Sequence, residues 1–296
     1  MKPAPFDYLA PGTLDEAIDL LAQHADAAKL IAGGQSLGPL LNMRLARPEV
    51  LIDLNRLAEL DYLREQDGWL AIGALTRQRA LERSRVVGER WPLLAEAVPY
   101  IGHTAIRNRG TVGGSIAHAD PSAELPAVVA ALGGELRIRG PRGERVARPD
   151  EFFVTYLTTS LAPDELLVEV RLPGVAAGTG CAWLEYARRH GDFALVGVAA
   201  LLRLRAGGDG TCAEARLVYT GVGPAPYDAR PAAGLLIGQP PSEETFAAAA
   251  ERAAADSQPD ADLHASAEYR RHLVRVLTRR ALRQALQRAQ PATDGA

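Results

Sequence analysis

The stretch "LIAGGQSLGPLL" (residues 30–41) ends a short apolar run with two consecutive glycines. A polar pair, Gln35 and Ser36, follows before apolar residues resume. Glycine permits a positive φ without a Cβ clash, so one interpretation of this turn is purely steric. The other is chemical, because a backbone without side chains can bring its N–H groups against an anion such as a phosphate. One glycine pair does not separate these two interpretations.

A second glycine turn lies in "RNRGTVGGSIAHADPSAELPAVVAALGG" (residues 107–134), where Thr111, Gly113, Gly114 and Ser115 form T-V-G-G-S. Two such turns can hold one pyrophosphate from two sides, since a hydrogen bond to a charged group contributes roughly 1.5–3 kcal/mol. Neither turn fits the P-loop or the Rossmann signature. The pair therefore indicates a dinucleotide site of another kind, with Gly33 or Gly114 expected at positive φ beside the phosphate.

Composition and charge exclude several classes of protein. The 296 residues contain 33 Lys and Arg against 36 Asp and Glu, so no nucleic-acid footprint is expected. Two cysteines are too few for a disulfide framework or for an iron–sulfur cluster held by this chain alone. The first 13 residues lack the apolar core of a secretion signal, and no run approaches roughly 18 apolar residues. We expect a cytoplasmic protein.

The order of elements changes along the chain from short strands to longer ones. Thr13 and Glu16 form a capping-box pattern for a helix that ends near His24. A Pro- and Gly-rich stretch at 172–180 marks the predicted domain boundary. The predicted strands are 29–32, 49–54, 69–75, 166–172, 182–189, 195–204 and 215–222, with a hairpin at 135–140 and 144–149; the predicted helices are 76–83, 91–102, 242–256 and 266–289.

Other polar residues have simpler explanations than catalysis. His118 and Asp120 are two potential metal ligands without a third nearby, which makes a weak metal site. Asp120 before Pro121 is better interpreted as a helix N-cap with proline at the first helical position. Ser36 lacks the G-x-S-x-G elbow of a nucleophile. The last helix carries an apolar stripe among many arginines. Either the helix is a surface helix whose arginine face is solvated, or it docks a partner; the stripe consists of Leu273, Val276, Leu277 and Ala281.

Four segments together resemble a known family: "AGGQSL" (32–37), "RNRGTVGGSIAHADPSAELPA" (107–127), "RRHGDFALVGVAA" (188–200) and "SAEYRRHL" (266–273). They resemble the FAD-binding medium subunit of the xanthine dehydrogenase and aerobic carbon monoxide dehydrogenase family, the molybdenum hydroxylases. The resemblance runs over essentially the whole chain in the same order. It implies an α+β protein of the vanillyl-alcohol-oxidase or PCMH-type FAD-binding fold, with two α+β subdomains and a smaller C-terminal α/β domain.

The resemblance also implies site residues, with FAD as the cofactor, no metal ligands and no catalytic residue. Glu124 stands where relatives commonly carry an aspartate that bonds the cofactor, and Ser115 replaces a frequent asparagine. Phe193 lies where an aromatic residue covers the isoalloxazine in the carbon monoxide branch. A histidine near the ring, His103 or His118, either tunes its charge or is structural. The implied cofactor-binding residues are Ala32, Gly33, Gly34, Gln35, Ser36, Leu37, Ile101, Thr111, Gly113, Gly114, Ser115, His118, Glu124, Leu167 and Phe193.

The family implies a domain layout, partners and a function. The expected FAD-binding domain spans 1–175, with subdomains of about 1–55 and 56–175, followed by a C-terminal flavoprotein domain over 176–290 and a disordered tail at 291–296. The expected partners are a molybdenum-cofactor large subunit and a small subunit with [2Fe–2S] clusters, in a dimer of heterotrimers. This chain is then the electron-transfer subunit, active only in the complex. Two alternatives stay open: a self-contained flavin reductase of the same fold and a scaffold that has lost FAD.

Overall fold

The computed structural model describes residues 1–205 and 210–289, so the predicted tail at 291–296 lies outside the described residues. The helices are α1 (Leu14–His24), α2 (Leu37–Asn42), α3 (Gln78–Arg83), α4 (Arg85–Arg90), α5 (Pro92–Ala97), α6 (Thr104–Arg107), α7 (Val112–His118), α8 (Glu124–Leu132), α9 (Pro149–Phe152), α10 (Arg230–Gly234), α11 (Glu243–Asp256) and α12 (Ala267–Arg288). The strands are β1 (Asp7–Leu9), β2 (Ala28–Ile31), β3 (Val50–Asp53), β4 (Leu63–Gln66), β5 (Trp69–Gly73), β6 (Glu135–Gly140), β7 (Gly143–Ala147), β8 (Phe153–Thr155), β9 (Thr158–Thr159), β10 (Leu166–Pro173), β11 (Thr179–Tyr186), β12 (Val196–Leu204), β13 (Cys212–Thr220) and β14 (Tyr227–Asp228).

The first compact unit comprises Met1–Arg83, Thr104–Ala119 and Gly133–Pro173. Its parallel sheet has the strand order β1-β3-β2, and its antiparallel sheet has the order β4-β5-β10-β6-β7. A core cluster joins α1 to both sheets and includes Ile18, Ile52 and Val168. The parallel pairing of β2 with β3 matters for the site, because their carboxyl ends lie at the same edge.

Helix α1 begins as predicted at the Thr13 cap, but Glu16 does not close the predicted capping box. The Thr13 hydroxyl accepts a hydrogen bond from the Glu16 amide at 3.2 Å, which confirms Thr13 as the N-cap. The Glu16 carboxylate accepts instead from the amide of Gly12 at 2.7 Å, one residue before the cap. One orphan donor of the helix, the Glu16 amide, is thereby satisfied, and Glu16 binds the residue before the cap instead of completing a reciprocal capping box.

The second compact unit comprises Ser84–His103, Asp120–Leu132 and the described part of Gly174–Ala296. Its sheet is antiparallel with the order β11-β12-β13-β14. The core cluster of this unit includes side chains from the sheet, α11 and α12, among them Val198, Phe246 and Leu282. Two of its segments come from the middle of the chain, so the units do not follow the chain as two consecutive blocks, and the predicted domain limits stay a prediction.

The buried stripe of α12 differs from the predicted one. Val276 is only half-buried, whereas Val274 is fully buried and continues in line with Thr278 and Ala281. Leu282 is buried as well, because α12 packs against both the sheet and α11 and is therefore covered over a wider face. Several exposed arginines of this helix are ion-paired with α11, including Arg275 with Glu251 at 2.7 Å. These pairs favour the solvated-face interpretation.

The predicted N-cap at Asp120 is wrong, because α8 begins at Glu124. The Asp120 carboxylate accepts from the Ser122 amide at 2.9 Å, which makes a turn instead of a helix start. The carbonyl of Pro121 is already taken by the Thr220 hydroxyl at 2.6 Å and by the Gly221 amide at 2.8 Å. That carbonyl is thus not available for a helical bond at this point.

Other boundaries differ by a few residues from the sequence prediction. The helix expected at 91–102 ends at Ala97 and continues as a 3-10 turn over Val98–Tyr100. Strand β13 starts at Cys212, three residues before the predicted start. The second glycine segment was predicted as a turn, but Val112, Gly113 and Gly114 form the first turn of helix α7, which was not predicted. Among the described residues, none of the helices combines the length and the apolar character that a membrane crossing requires.

Candidate cofactor-binding site

The first glycine turn follows β2 at the carboxyl edge of the parallel sheet and leads directly into α2. Gly34 adopts φ +70°, whereas Gly33 and Gly114 have no positive φ, so the prediction of positive φ at those two positions is wrong. Gly33 is required for a different reason. A Cβ at Gly33 would overlap the carbonyl oxygen of Arg109 and would lie 2.8 Å from the Cα of Gly110.

The first turn presents backbone amides that the protein does not use. No hydrogen bond among the described residues takes the N–H of Gly34, Gln35 or Ser36. The carbonyl groups of the turn are engaged: the Gln35 side chain donates to Gly33 O at 3.0 Å, and the Gly38 amide donates to Gly34 O at 2.9 Å. The turn is half-buried, so its three consecutive donors can reach a bound anion.

The second glycine turn uses its amides inside the protein. Thr111 caps α7 by accepting from the Gly114 amide at 3.1 Å, and the Ser115 amide donates to Thr111 O at 3.1 Å. The Gly113 amide donates to Ala74 O at 2.8 Å. A Cβ at Gly113 would lie 2.5 Å from that of Ala74, so this glycine is required for close packing. The half-buried Ser115 hydroxyl takes part in no hydrogen bond among the described residues.

The two turns are in contact within the first unit. The first turn rests on the backbone of Arg109 and Gly110, which immediately precede the second turn. A Cβ at Gly114 would lie 3.8 Å from the Cβ of Ala32. The sequence analysis expected two turns that face one ligand, and the structure brings them side by side. The unused amides belong to the first turn, whereas the second turn uses its own amides within the protein.

Two side chains that the sequence analysis missed link the turns. The Asn55 side chain donates from Nδ2 to Ala32 O at 2.8 Å, and the Arg77 guanidinium donates to Asn55 Oδ1 at 2.6 Å and to Arg109 O at 2.7 Å. The sequence could have indicated Asn55, because the polar segment "DLNR" comes at the end of β3, at the same sheet edge as the first turn. Arg77 gave no comparable signal, because its role depends on a contact with Arg109.

The segment before the second turn is fixed by a buried ion pair. Arg107 is 5% exposed and donates from Nε to Glu82 Oε2 at 2.8 Å and from Nη2 to Glu82 Oε1 at 3.2 Å. This hydrogen bonding lowers the pKa of Glu82, which burial alone would raise. A two-pronged arginine–carboxylate pair holds α6 firmly against α3.

The remaining predicted site residues fall in both units. Leu167 is buried on β10 of the first unit, beside Val168, whose carbonyl accepts from the Ala74 amide at 2.9 Å. His118 is the half-buried last residue of α7. The second unit holds buried Ile101, buried Glu124 and Phe193. A shared site for residues of the two units therefore stays a prediction.

Phe193 lies on an exposed loop between β11 and β12 and is 64% exposed. Gly191 of this loop has φ +89°, and the His103 imidazole occupies the space that a Cβ would take there. The rings of His103 and His190 lie 6.3 Å apart. His103 thus packs against this loop, and Phe193 is presented at the surface of the second unit.

A protonatable carboxylate lies just before this loop. Burial raises the pKa of Glu185 to about 7, although the Trp183 indole donates to it at 3.2 Å and opposes the shift. Its neighbour Glu96 accepts from the Trp183 amide at 3.0 Å and pairs with Arg288. Both carboxylates contribute to the raised pKa of Tyr100, after burial. Glu185 therefore titrates near neutral pH within the second unit.

The family models match nearly the whole chain. Residues 4–175 match the FAD-binding domain in molybdopterin dehydrogenase, and residues 182–285 match the C-terminal domain of the carbon monoxide dehydrogenase flavoprotein. These matches confirm the family that the glycine turns and the two later motifs indicated.

Curated relatives and solved structures agree with the family models. The chain is 42% identical over 294 residues to the 6-hydroxypseudooxynicotine dehydrogenase complex subunit alpha of Paenarthrobacter nicotinovorans, covering 99% of each chain. It is 39% identical over 282 residues to the carbon monoxide dehydrogenase medium chain of Hydrogenophaga pseudoflava, covering 95% of this chain and 97% of the relative. A solved structure of carbon monoxide dehydrogenase from Hydrogenophaga pseudoflava, which lacks the Mo-pyranopterin moiety of the molybdenum cofactor, matches with a TM-score of 0.94 at 40% identity, covering 98% of this chain and 100% of that chain. The chain therefore belongs to the FAD-binding medium subunits of the molybdenum hydroxylase family.

Proposed function

We propose that this chain carries electrons from the [2Fe–2S] clusters of a small partner subunit to an external acceptor, while a molybdenum-cofactor large subunit oxidises the substrate. The observation that supports this most directly is the pair of glycine turns. Three unused amides at the first turn can donate to the charged oxygens of a diphosphate, and this turn lies against the second one. When bound, FAD supplies a redox centre, and the protein supplies its binding and orientation.

Individual residues have distinct tasks in this proposal. The amides of Gly34, Gln35 and Ser36 would hold the diphosphate, with the Ser115 hydroxyl as a further donor. Glu124, which lies in the first turn of α8, would bond the cofactor elsewhere, as the family resemblance implies. Ile101 and Leu167 would line the flavin pocket, and Phe193 would cover the ring; these roles also rest on the resemblance.

The cysteines support a relay that depends on partner subunits. The sequence contains two cysteines, whereas a [2Fe–2S] cluster takes about four protein ligands. Both cysteines are buried, and burial raises the pKa of Cys181 to about 11, which disfavours the thiolate that binds iron. The cluster is therefore supplied by another chain. A dimer of heterotrimers and a cytoplasmic location are further parts of this proposal.

The test compares the FAD-loaded chain alone with the chain mixed with its large and small subunits. Alone, it should show no flavin bleaching with carbon monoxide, aldehydes, purines or N-heterocycles. Addition of both subunits should give bleaching with the substrate of the complex. Rapid bleaching of the lone chain would contradict the relay and favour a self-contained flavin reductase. Failure of the purified chain to bind added FAD would favour a scaffold without the cofactor.

A further inference from the structure

The spacing between the two glycine turns is held by side chains as well as by backbone contact. Asn55 follows β3 and spans to Ala32 of the first turn, and Arg77 precedes α3 and spans to Arg109 before the second turn. The two side chains meet each other at 2.6 Å. We infer that Asn55 and Arg77, here called the bracket, are positioning residues that set the distance between the turns for the diphosphate of FAD.

The bracket is anchored at both ends. The backbone amide of Asn55 donates to Asp53 Oδ1 at 2.9 Å, and the side-chain Nδ2 of Asn55 donates to the same oxygen at 2.6 Å. Burial would raise the pKa of Asp53, but hydrogen bonds from Tyr8 and Asn55 outweigh it and hold the pKa below its ordinary value. Asp53 is thus an ionised anchor. At the other end, Arg77 pairs with Thr111, the cap of the second turn, in an isolated antiparallel bridge.

The geometry requires these residue types. Arg77 donates two bonds in different directions, from Nη1 to Arg109 O and from Nη2 to Asn55 Oδ1. The planar guanidinium supplies both at fixed angles, whereas a lysine ammonium keeps the charge without the fork. Asn55 must accept from Arg77 and donate to Ala32 O at once. An aspartate accepts but cannot donate when ionised, so it would break one link of the bracket.

The bracket acts on affinity because it pre-organises the site. The free amides of the first turn can meet a diphosphate only if the turn keeps its place beside the second turn. Fixing that arrangement before binding removes part of the ordering cost of association. Neither side chain needs to touch the cofactor for this effect. The inference rests on FAD binding by the chain, which the proposed electron relay also needs.

The experiment measures the dissociation constant of FAD for the full chain, together with the unfolding temperature of the FAD-free chain. The variants are Arg77→Lys, Arg77→Met and Asn55→Asp. The control is Arg83→Met, which removes an exposed arginine at the end of α3 in the same unit. We expect each bracket variant to weaken FAD binding by about tenfold, as loss of a hydrogen bond allows, and the control to leave it unchanged. The FAD-free bracket variants should unfold only a few degrees below the control, because each loses one or two hydrogen bonds worth about 1 kcal/mol apiece.

Two comparisons separate positioning from charge and from general stability. Arg77→Lys should bind FAD as weakly as Arg77→Met; recovery of affinity by lysine would show that charge alone matters and would overturn the inference. The double variant Asn55→Asp with Arg77→Met should bind FAD no more weakly than either single variant, because loss of one link is already enough to open the bracket. Affinities within twofold of the parent would also overturn it while leaving the relay intact. Absence of FAD binding by the parent chain would overturn both.

Discussion

Replacement of Gly34 by alanine alters the first glycine turn without introducing a collision. An added Cβ would meet only the end of the Ile31 side chain, at 3.3 Å. The cost comes instead from φ +70°, because a left-handed conformation costs an ordinary residue about 1–2 kcal/mol. The variant relieves this strain by moving φ toward negative values, which rotates the Gly34 amide relative to the Gln35 amide and so changes how the unused donors are presented.

The expected effect on affinity follows from the unused donors of the turn. A hydrogen bond to a charged group contributes about 1.5–3 kcal/mol, so the loss of one amide contact weakens FAD binding by roughly 10- to 150-fold. The strain itself should lower the unfolding temperature of the FAD-free chain by only a few degrees, on the order of 2–4 °C for each kcal/mol in a protein of this size.

Gly68 offers a matched control. It has φ +77° at the hairpin between β4 and β5, and an added Cβ would have no atom within 4 Å. Gly68→Ala should therefore lower the unfolding temperature as much as Gly34→Ala while FAD affinity stays at the parent value. Flavin fluorescence during titration of the FAD-free chain gives the dissociation constants. Equal affinity in the parent and Gly34→Ala, or an equal loss in Gly68→Ala, would refute the reasoning.

Three further outcomes are expected. Between about pH 4.5 and 7 the folded chain keeps the Glu185 proton that the unfolded chain has lost, so the free energy of unfolding should fall as pH rises, by at most about 3–4 kcal/mol. Thermal unfolding of Glu185→Gln across pH 5–8 should lack this fall, and a pH profile equal to that of the parent would contradict the assigned pKa. We expect FAD to be bound non-covalently, so acid precipitation should release the yellow colour into the supernatant, and colour kept in the pellet would disprove this. Thr111→Val removes the N-cap of α7 and should lower the free energy of unfolding by about 1 kcal/mol, measured by urea titration, whereas the same change at the exposed Thr155 should have little effect.

Local sequence predicted where much of the site lies, because paired glycines are typical of tight turns and of close backbone contacts. G-G after a short apolar run and T-V-G-G-S predicted two turns. The structure places both segments in one unit, the first as a turn and the second as the N-terminal turn of α7. Local sequence did not predict why each position requires glycine. The positive φ falls on Gly34, while Gly33 and Gly113 are required by backbone atoms from Arg109 and Ala74. Such contacts depend on which segments are neighbours in space.

Misplaced elements show the same limit. Asp120 before Pro121 is a good local signal for a helix start, but the Pro121 carbonyl bonds to Thr220 and Gly221, about 100 residues later in the chain. Val276 fits a helical stripe by spacing, yet Val274 is the buried residue because α12 is covered by both the sheet and α11. Local preference was overridden in each case by partners that are distant in sequence.

The sequence by itself determined that this chain carries two glycine turns, holds too few cysteines for its own cluster, and belongs to a flavoprotein family, because each property follows from residue type and order. Only the tertiary structure decided which amides remain free, and which side chains hold the turns at a fixed distance. A backbone amide is available to a ligand only when no carbonyl or hydroxyl of the folded chain reaches it. That condition depends on contacts such as Gly113 with Ala74 and Arg77 with Arg109, which join segments some 30–40 residues apart.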